Sequence, residues 1–184
     1  MRLVLIGPPG AGKGTQAALL SAKLGVPHIS TGELFRDHGD RDTPLGRDAR
    51  RFVAAGELVP DSVTVEMVRL RLREPDTEAG FVLDGFPRTV RQADELTLLL
   101  GAGGHRLDAV VEFTAPEQVL VDRLLGRGRP DDTEDVIRNR QHVYHRDTAP
   151  LLAYYADLLL SVEAVGPVER IAAEVLAALP AQTP

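Results

Sequence analysis

Short apolar runs recur along this chain, and helical periodicities fill the spaces between them. Residues 2–6, 26–29, 81–83, 108–113 and 158–162 read as short buried strands bounded by turn residues. Residues 15–24 place Ala17, Leu19, Leu20 and Leu24 on neighbouring helical faces, and 31–36 and 43–55 read as further helices. Pro60 and Asp61 open another, with Asp61 the expected N-cap and Val65, Val68 and Leu72 in register. Residues 89–100 are helical, and Thr114-Ala115-Pro116-Glu117 has the form of a capping box with proline near the first turn. After a polar break at 126–132, a helical stretch runs from Thr133 to about Asp157 with a kink expected at Pro150. A helix over 167–179 closes the chain, and the tail 180–184 is expected to fray.

Strand and helix alternate throughout. That order predicts an α/β sandwich with a five-stranded parallel sheet covered by helices on both faces. No repeat or linker divides the chain, so one domain is expected. Residues 30–59 and 126–132 look inserted between sheet elements, because they carry little core-type sequence.

Composition narrows the picture. The 184 residues suffice to bury a substantial core. Aromatics are 4% with no Trp, so that core must be built mainly from Val, Leu, Ile and Ala. The absence of cysteine excludes disulfides and Cys-based zinc sites and fits a reducing compartment. Residues 1–7 lack a basic leader segment, and no run approaches a membrane span of about 20 apolar residues, so a cytoplasmic protein is expected. The net charge of −6 argues against a nucleic-acid surface. No apolar surface stripe stands out, which suggests a monomer. The five histidines have no metal-ligand spacing and read as structural or surface residues. Of 21 basic residues only Lys13 and Lys23 are lysines; a GC-rich codon bias accounts for this as readily as function does, and the functional reading concerns a subset, because arginine holds phosphates with a rigid, permanently charged fork.

The chemistry starts at Gly7-Pro8-Pro9-Gly10-Ala11-Gly12-Lys13-Gly14-Thr15, between a strand and a helix. That is the context a phosphate-binding loop requires. Its glycines let amide N–H groups approach phosphate oxygens, the helix behind adds its positive N-terminal end, and Lys13 reaches the outer phosphates. The loop departs from the general pattern at Gly14, with the hydroxyl one place later at Thr15. This variant resembles nucleoside monophosphate kinases. No Asn-Lys-x-Asp element for guanine is present.

Four further segments resemble adenylate kinases in order and spacing. They are Ser30-Thr31-Gly32-Glu33-Leu34-Phe35-Arg36, Gly56-Glu57-Leu58-Val59-Pro60-Asp61, Asp84-Gly85-Phe86-Pro87-Arg88-Thr89 with Gln92, and Val121-Asp122-Arg123 through Arg140. The resemblance runs from Met1 to about Tyr155, and the final strand and helix fit it with Gly166 at a nucleotide position. It implies a P-loop kinase core, an AMP-binding insertion over 30–59, a short lid over 126–132 without metal-binding cysteines, and reversible transfer from Mg-ATP to AMP giving two ADP. The ATP side would comprise Gly10, Ala11, Gly12, Lys13, Gly14, Thr15, Arg123, Arg127 and Gly166. The AMP side would comprise Thr31, Arg36, Glu57, Leu58, Val59, Gly85, Phe86, Pro87, Arg88, Gln92, Arg129 and Arg140. Lys13, Arg88, Arg123, Arg129 and Arg140 would carry the catalysis. Asp84 would order water around Mg²⁺ without binding it directly, and no structural zinc is expected. Arg138 instead reads as a surface partner of Glu134 at i,i+4 spacing.

Two other functions share parts of this pattern. UMP/CMP kinases have the same fold but tend to lack the Thr of S-T-G and the Gln after G-F-P-R, so Thr31 and Gln92 argue against them. A regulator that binds nucleotide without turnover would be expected to lose flap arginines, and this chain keeps them.

Overall fold

The computed structural model describes residues 1–128 and 133–181. Strands β1 (Arg2–Ile6), β2 (His28–Ser30), β3 (Phe81–Asp84), β4 (Ala109–Thr114) and β5 (Leu159–Glu163) form one sheet in the order β2-β3-β1-β4-β5. Every pairing is parallel, as expected. Helices α1 (Lys13–Leu24), α2 (Thr31–Asp40), α3 (Pro44–Ala55), α4 (Asp61–Arg71), α5 (Val90–Ala102), α6 (Glu117–Arg127), α7 (Glu134–Val143), α8 (Pro150–Tyr154) and α9 (Val168–Ala178) surround and extend it.

The strands are apolar on both faces because both are covered. On β1, Leu3 and Leu5 point into one layer with Leu20, Phe113, Ile171 and Val175. Val4 and Ile6 point into the other with Ile29, Leu83, Phe86, Leu96 and Leu151. The central strand therefore belongs to two cores at once. Its neighbours are β3 and β4, so the loop leaving β1 emerges where the sheet order reverses, the usual place for a ligand in an open α/β sheet.

Helices α2 and α3 form a hairpin between β2 and α4. They cross at backbone distance: a Cβ on Gly46 would lie 2.1 Å from the His38 carbonyl oxygen. The Thr43 hydroxyl caps α3 by accepting from the Gly46 amide at 3.1 Å.

Four local expectations are corrected. Asp61 is the first residue of α4, and Pro60 holds the cap position without a side-chain bond. Thr114 is not a helix cap. It ends β4, opposite Glu163 of β5, and α6 starts at Glu117 without a side-chain cap. The expected polar break begins later than Gly126, because α6 continues through Arg127 and stops at Gly128, whose φ is 69°. The rest of the expected short lid, including Arg129, lies outside the described residues. Finally, the bend near Pro150 begins before the proline, as a π-helical turn over Tyr144–Thr148. Proline has no N–H and its ring crowds the preceding turn, so the wider turn precedes it naturally.

Candidate active site

A cleft of about 750 Å³ opens along the C-terminal ends of the parallel strands. Its floor is the loop between β1 and α1. Gly10, Ala11, Gly12, Lys13, Gly14 and Thr15 all line it. The loop reaches its shape through close approach to its neighbours. Gly10 has φ +87°, and a Cβ there would sit 2.4 Å from the Leu120 carbonyl oxygen of α6. Only glycine meets both demands.

Lys13 folds back over the loop. Its Nζ donates to the Gly7 carbonyl at 2.6 Å and the Pro8 carbonyl at 3.0 Å. Burial lowers its pKa from 10.5 to about 8, with Asp84 opposing the shift and Arg88 and Arg127 adding to it. A buried ammonium held by two carbonyl oxygens, with cations nearby, is poised to exchange those oxygens for a polyanion.

Asp84 ends β3 beside Leu5 in the sheet register. Its carboxylate is close to the loop: a Cβ on Gly14 would lie 3.5 Å from Oδ2. Burial alone would raise its pKa, but His28, Lys13 and Arg88 outweigh burial and hold the carboxyl below its ordinary range. His28 Nε2 is 3.7 Å from Asp84 Oδ2, beyond hydrogen-bond reach, and this buried nitrogen has no hydrogen-bond partner among the described residues.

The strand end turns at Gly85, whose φ is +83° and whose missing Cβ would lie 2.7 Å from Thr31 Oγ1. The Gly85 carbonyl accepts from Thr31 Oγ1 at 2.8 Å and from Arg88 Nε at 3.0 Å. Thr31 and Arg88 are thus fixed to one carbonyl from two elements. Ser30, not Thr31, caps α2, by accepting from the Glu33 amide at 3.4 Å. The Arg88 guanidinium sits deep among protein atoms yet opens to the water of the cleft. Those walls lower its pKa, Asp84 opposes the effect and Arg140 adds to it.

Other expected residues are distributed around this centre. Arg36, Glu57, Leu58 and Val59 line the cleft from the α2–α3 side, and Gln92 lines it from the first turn of α5. Arg123, Arg127 and Gly166 line it from the α6 and β5 side, and Arg140 of α7 lines it beside Gly56, where a Cβ would lie 3.1 Å from the Arg140 Cγ. Arg123 is anchored, its Nη2 donating to the Ala164 carbonyl at 2.8 Å and its Nη1 to the Gly10 carbonyl at 3.4 Å. Phe86 and Pro87 differ from the rest. Neither lines the cleft, and the Phe86 side chain is fully buried in the core layer with Leu96 and Leu151. They shape the turn that presents Arg88. Arg138 pairs with Glu134 at 2.5 Å on the surface, as expected.

Three residues escaped the reading of the sequence. His28 lines the cleft beside Asp84 although no metal-type spacing marks it. Gln16 also lines it: Nε2 donates to the Val168 carbonyl at 3.0 Å and the buried Oε1 has no partner among the described residues. Asp61 accepts from Gln92 Nε2 at 2.7 Å and from the Thr89 hydroxyl at 3.2 Å. The sequence does place His28 just before S-T-G, and it shows Asp61 as a helix-start residue and as the last residue of the Gly56–Asp61 segment, without a role in the site.

Cationic groups thus face each other across one cleft, with a phosphate loop between them. Such a site can hold two phosphate chains end to end and stabilise charge moving between them. Among the described residues no serine of the cleft is hydrogen-bonded to a histidine, and the chain has no cysteine. Comparison with known proteins agrees with this geometry. The model of the family described as adenylate kinase matches residues 5–159. The adenylate kinases of Nocardia farcinica and Mycobacteroides abscessus are each 58% identical over 179 residues, covering 97% of this chain and 99% of the relative. That of Mycobacterium bovis is 55% identical over the same span and coverage.

Proposed function

The chain belongs to the adenylate kinase family, and on that premise we propose how its residues divide the work of moving a phosphoryl group from ATP to AMP. The reaction gives two ADP and is reversible, and ATP, AMP and ADP are the substrates. A UMP/CMP kinase is not favoured. The observation that carries the assignment of roles is the single cleft, in which the phosphate loop and Arg123 lie on one side and Thr31, Arg36 and Gln92 on the other, with Lys13, Asp84 and Arg88 between.

Gly10 to Thr15 cradle the ATP phosphates through backbone amides, and Arg123, Arg127 and Gly166 hold the rest of that nucleotide. Glu57, Leu58, Val59, Thr31 and Gln92 form the AMP base pocket. Gly85, Phe86 and Pro87 contribute the turn, and Arg36 and Arg88 hold the AMP phosphate, assisted by Arg129 and Arg140. An oxygen of that phosphate attacks the γ-phosphorus in line, and the bond to the β–γ bridging oxygen breaks. No protein nucleophile is needed, because the AMP oxygen is already anionic. Lys13 leaves the Gly7 and Pro8 carbonyls to follow the transferring group, while Arg88, Arg123, Arg129 and Arg140 neutralise charge spreading over the oxygens.

Residues 30–59 act as the AMP flap and 126–132 as a short lid, closing to exclude water. Magnesium fits this donor set. An ionised carboxylate at the wall of a phosphate cleft repels the substrate unless a cation lies between them. Asp84 would hold Mg²⁺ through its water shell, and the bound ion supplies charge neutralisation for the phosphates. Among the described residues, no three His, Cys, Asp or Glu side chains gather as a metal cage. Also among them, no helix is long and apolar enough to cross a membrane. A cytoplasmic monomer that binds no nucleic acid completes the proposal.

Arg88→Ala tests the division into two sides. The Michaelis constant for AMP should rise and turnover should fall, with ATP affinity nearly unchanged, as read by steady-state kinetics and separate calorimetric titrations. Weakened ATP binding with unchanged AMP binding would move Arg88 to the other side.

A further inference from the structure

We infer that Asp61 is a positioning residue that fixes the orientation of the Gln92 amide and thereby sets the base preference of the acceptor site. This rests on the reading of Gln92 as a base-contacting residue and goes beyond it, because Asp61 does not itself line the cleft.

A glutamine amide can present its oxygen and nitrogen either way round, and the two choices read opposite base edges. Here both neighbours are one-way groups. The Arg88 backbone N–H, which can only donate, donates to Gln92 Oε1 at 2.8 Å. The Asp61 carboxylate accepts from Gln92 Nε2 at 2.7 Å. Reversing the amide would set donor against donor at Arg88 and acceptor against acceptor at Asp61. Gln92 is only 1% exposed, so water cannot compensate. Asp61 is itself held, since the Thr89 hydroxyl donates to it at 3.2 Å while that same oxygen caps α5 by accepting from the Gln92 amide at 3.1 Å.

The orientation leaves one N–H on Nε2 and one lone pair on Oε1 for a ligand. Adenine matches them, with a ring-nitrogen acceptor beside an exocyclic amino donor. Hypoxanthine presents the reverse, a ring N–H beside a carbonyl oxygen. A locked amide therefore favours AMP over inosine monophosphate, and an amide free to turn would favour it less. Asp61 opens α4 one residue, Pro60, after Glu57, Leu58 and Val59, so the exit of the flap and the first turn of α5 meet at this carboxylate.

The test is kcat/KM for AMP and for inosine monophosphate at saturating ATP, in wild type, Asp61→Asn, Asp61→Glu and Gln92→Leu, with the KM for ATP alongside. Asparagine can donate as well as accept, so Asp61→Asn should lower the AMP-to-inosine ratio about tenfold with the ATP constant unchanged. Asp61→Glu keeps an acceptor-only group and should retain more of the ratio than Asp61→Asn, although asparagine is closer in volume. The reverse order overturns the inference, as does an Asp61→Asn enzyme that loses both substrates equally. A ratio unchanged in Asp61→Asn but collapsed in Gln92→Leu overturns the role of Asp61 and leaves the base-reading role of Gln92 standing. A ratio unchanged in Gln92→Leu overturns that base-reading role itself.

Discussion

Raising the pH through about 8 discharges Lys13 in the empty enzyme, and ATP binding should weaken with it. Burial of the ammonium is the leading cause of its low pKa, and among the described residues the Gly7 and Pro8 carbonyls are its hydrogen-bond partners. With a pKa of about 8, roughly half the molecules carry the charge at pH 8 and roughly a tenth at pH 9. If only the ammonium form engages the phosphates, affinity falls by up to about tenfold per pH unit above that point. Bound ATP surrounds Nζ with negative charge and drives its pKa back up. Complex formation at pH 8 should therefore take up roughly half a proton. Titration calorimetry with Mg-ATP at pH 8, in two buffers of different ionisation enthalpy, reads this directly. The observed enthalpies should differ in wild type and coincide in Lys13→Met. Equal enthalpies in wild type, or the same difference in Lys13→Met, would refute the reasoning. The sign for stability follows from the same shift. The folded pKa lies below the ordinary 10.5, so between about pH 8 and that value the unfolded chain binds more protons. The Lys13 contribution to stability rises across that window, and its cost is fully present below it.

Two further outcomes test the scaffold. Gly10→Ala forces an alanine to φ +87° and a Cβ to 2.4 Å from the Leu120 carbonyl oxygen; the conformation alone costs about 1–2 kcal/mol, so both the melting temperature and ADP formation should fall, and a variant with wild-type values would contradict the loop geometry. Leu96→Ala opens a cavity in a fully buried layer at a residue that does not line the cleft; a loss of about 2–5 kcal/mol should lower the melting temperature by about 5–15 °C, with both Michaelis constants within about twofold of wild type.

The strands and the phosphate loop were legible because each rests on local pattern. A parallel sheet buried on both faces demands continuous apolar runs, and β1, β3 and β4 supply them. The loop likewise declares itself through glycine spacing and one lysine between strand and helix. What the sequence hid depends on contacts distant along the chain. Asp61 has the residue type of a cap, yet its carboxylate is committed to Thr89 and Gln92 of another helix. Thr114 and Glu117 spell a capping box, but pairing with β5 keeps Thr114 extended. The G-F-P-R segment reads as one functional unit. The fold splits it, sending Phe86 into the core and opening Arg88 to the cleft. His28 became a site residue only because β2 pairs in parallel with β3 and brings it to Asp84.

The decisive measurement is ADP formation from ATP with AMP, CMP, UMP and GMP as acceptors, together with ATP loss when no acceptor is present. On the proposed division of the cleft, in which Thr31 and Gln92 close the acceptor pocket, any other base should leave buried groups unpaired, at roughly 1–3 kcal/mol each. AMP should therefore exceed the other monophosphates in kcat/KM by about a hundredfold or more. Two ADP should form for each ATP consumed, with little hydrolysis when the acceptor is missing. Turnover of UMP or CMP as fast as AMP, or ATP hydrolysis that does not depend on an acceptor, would contradict the account.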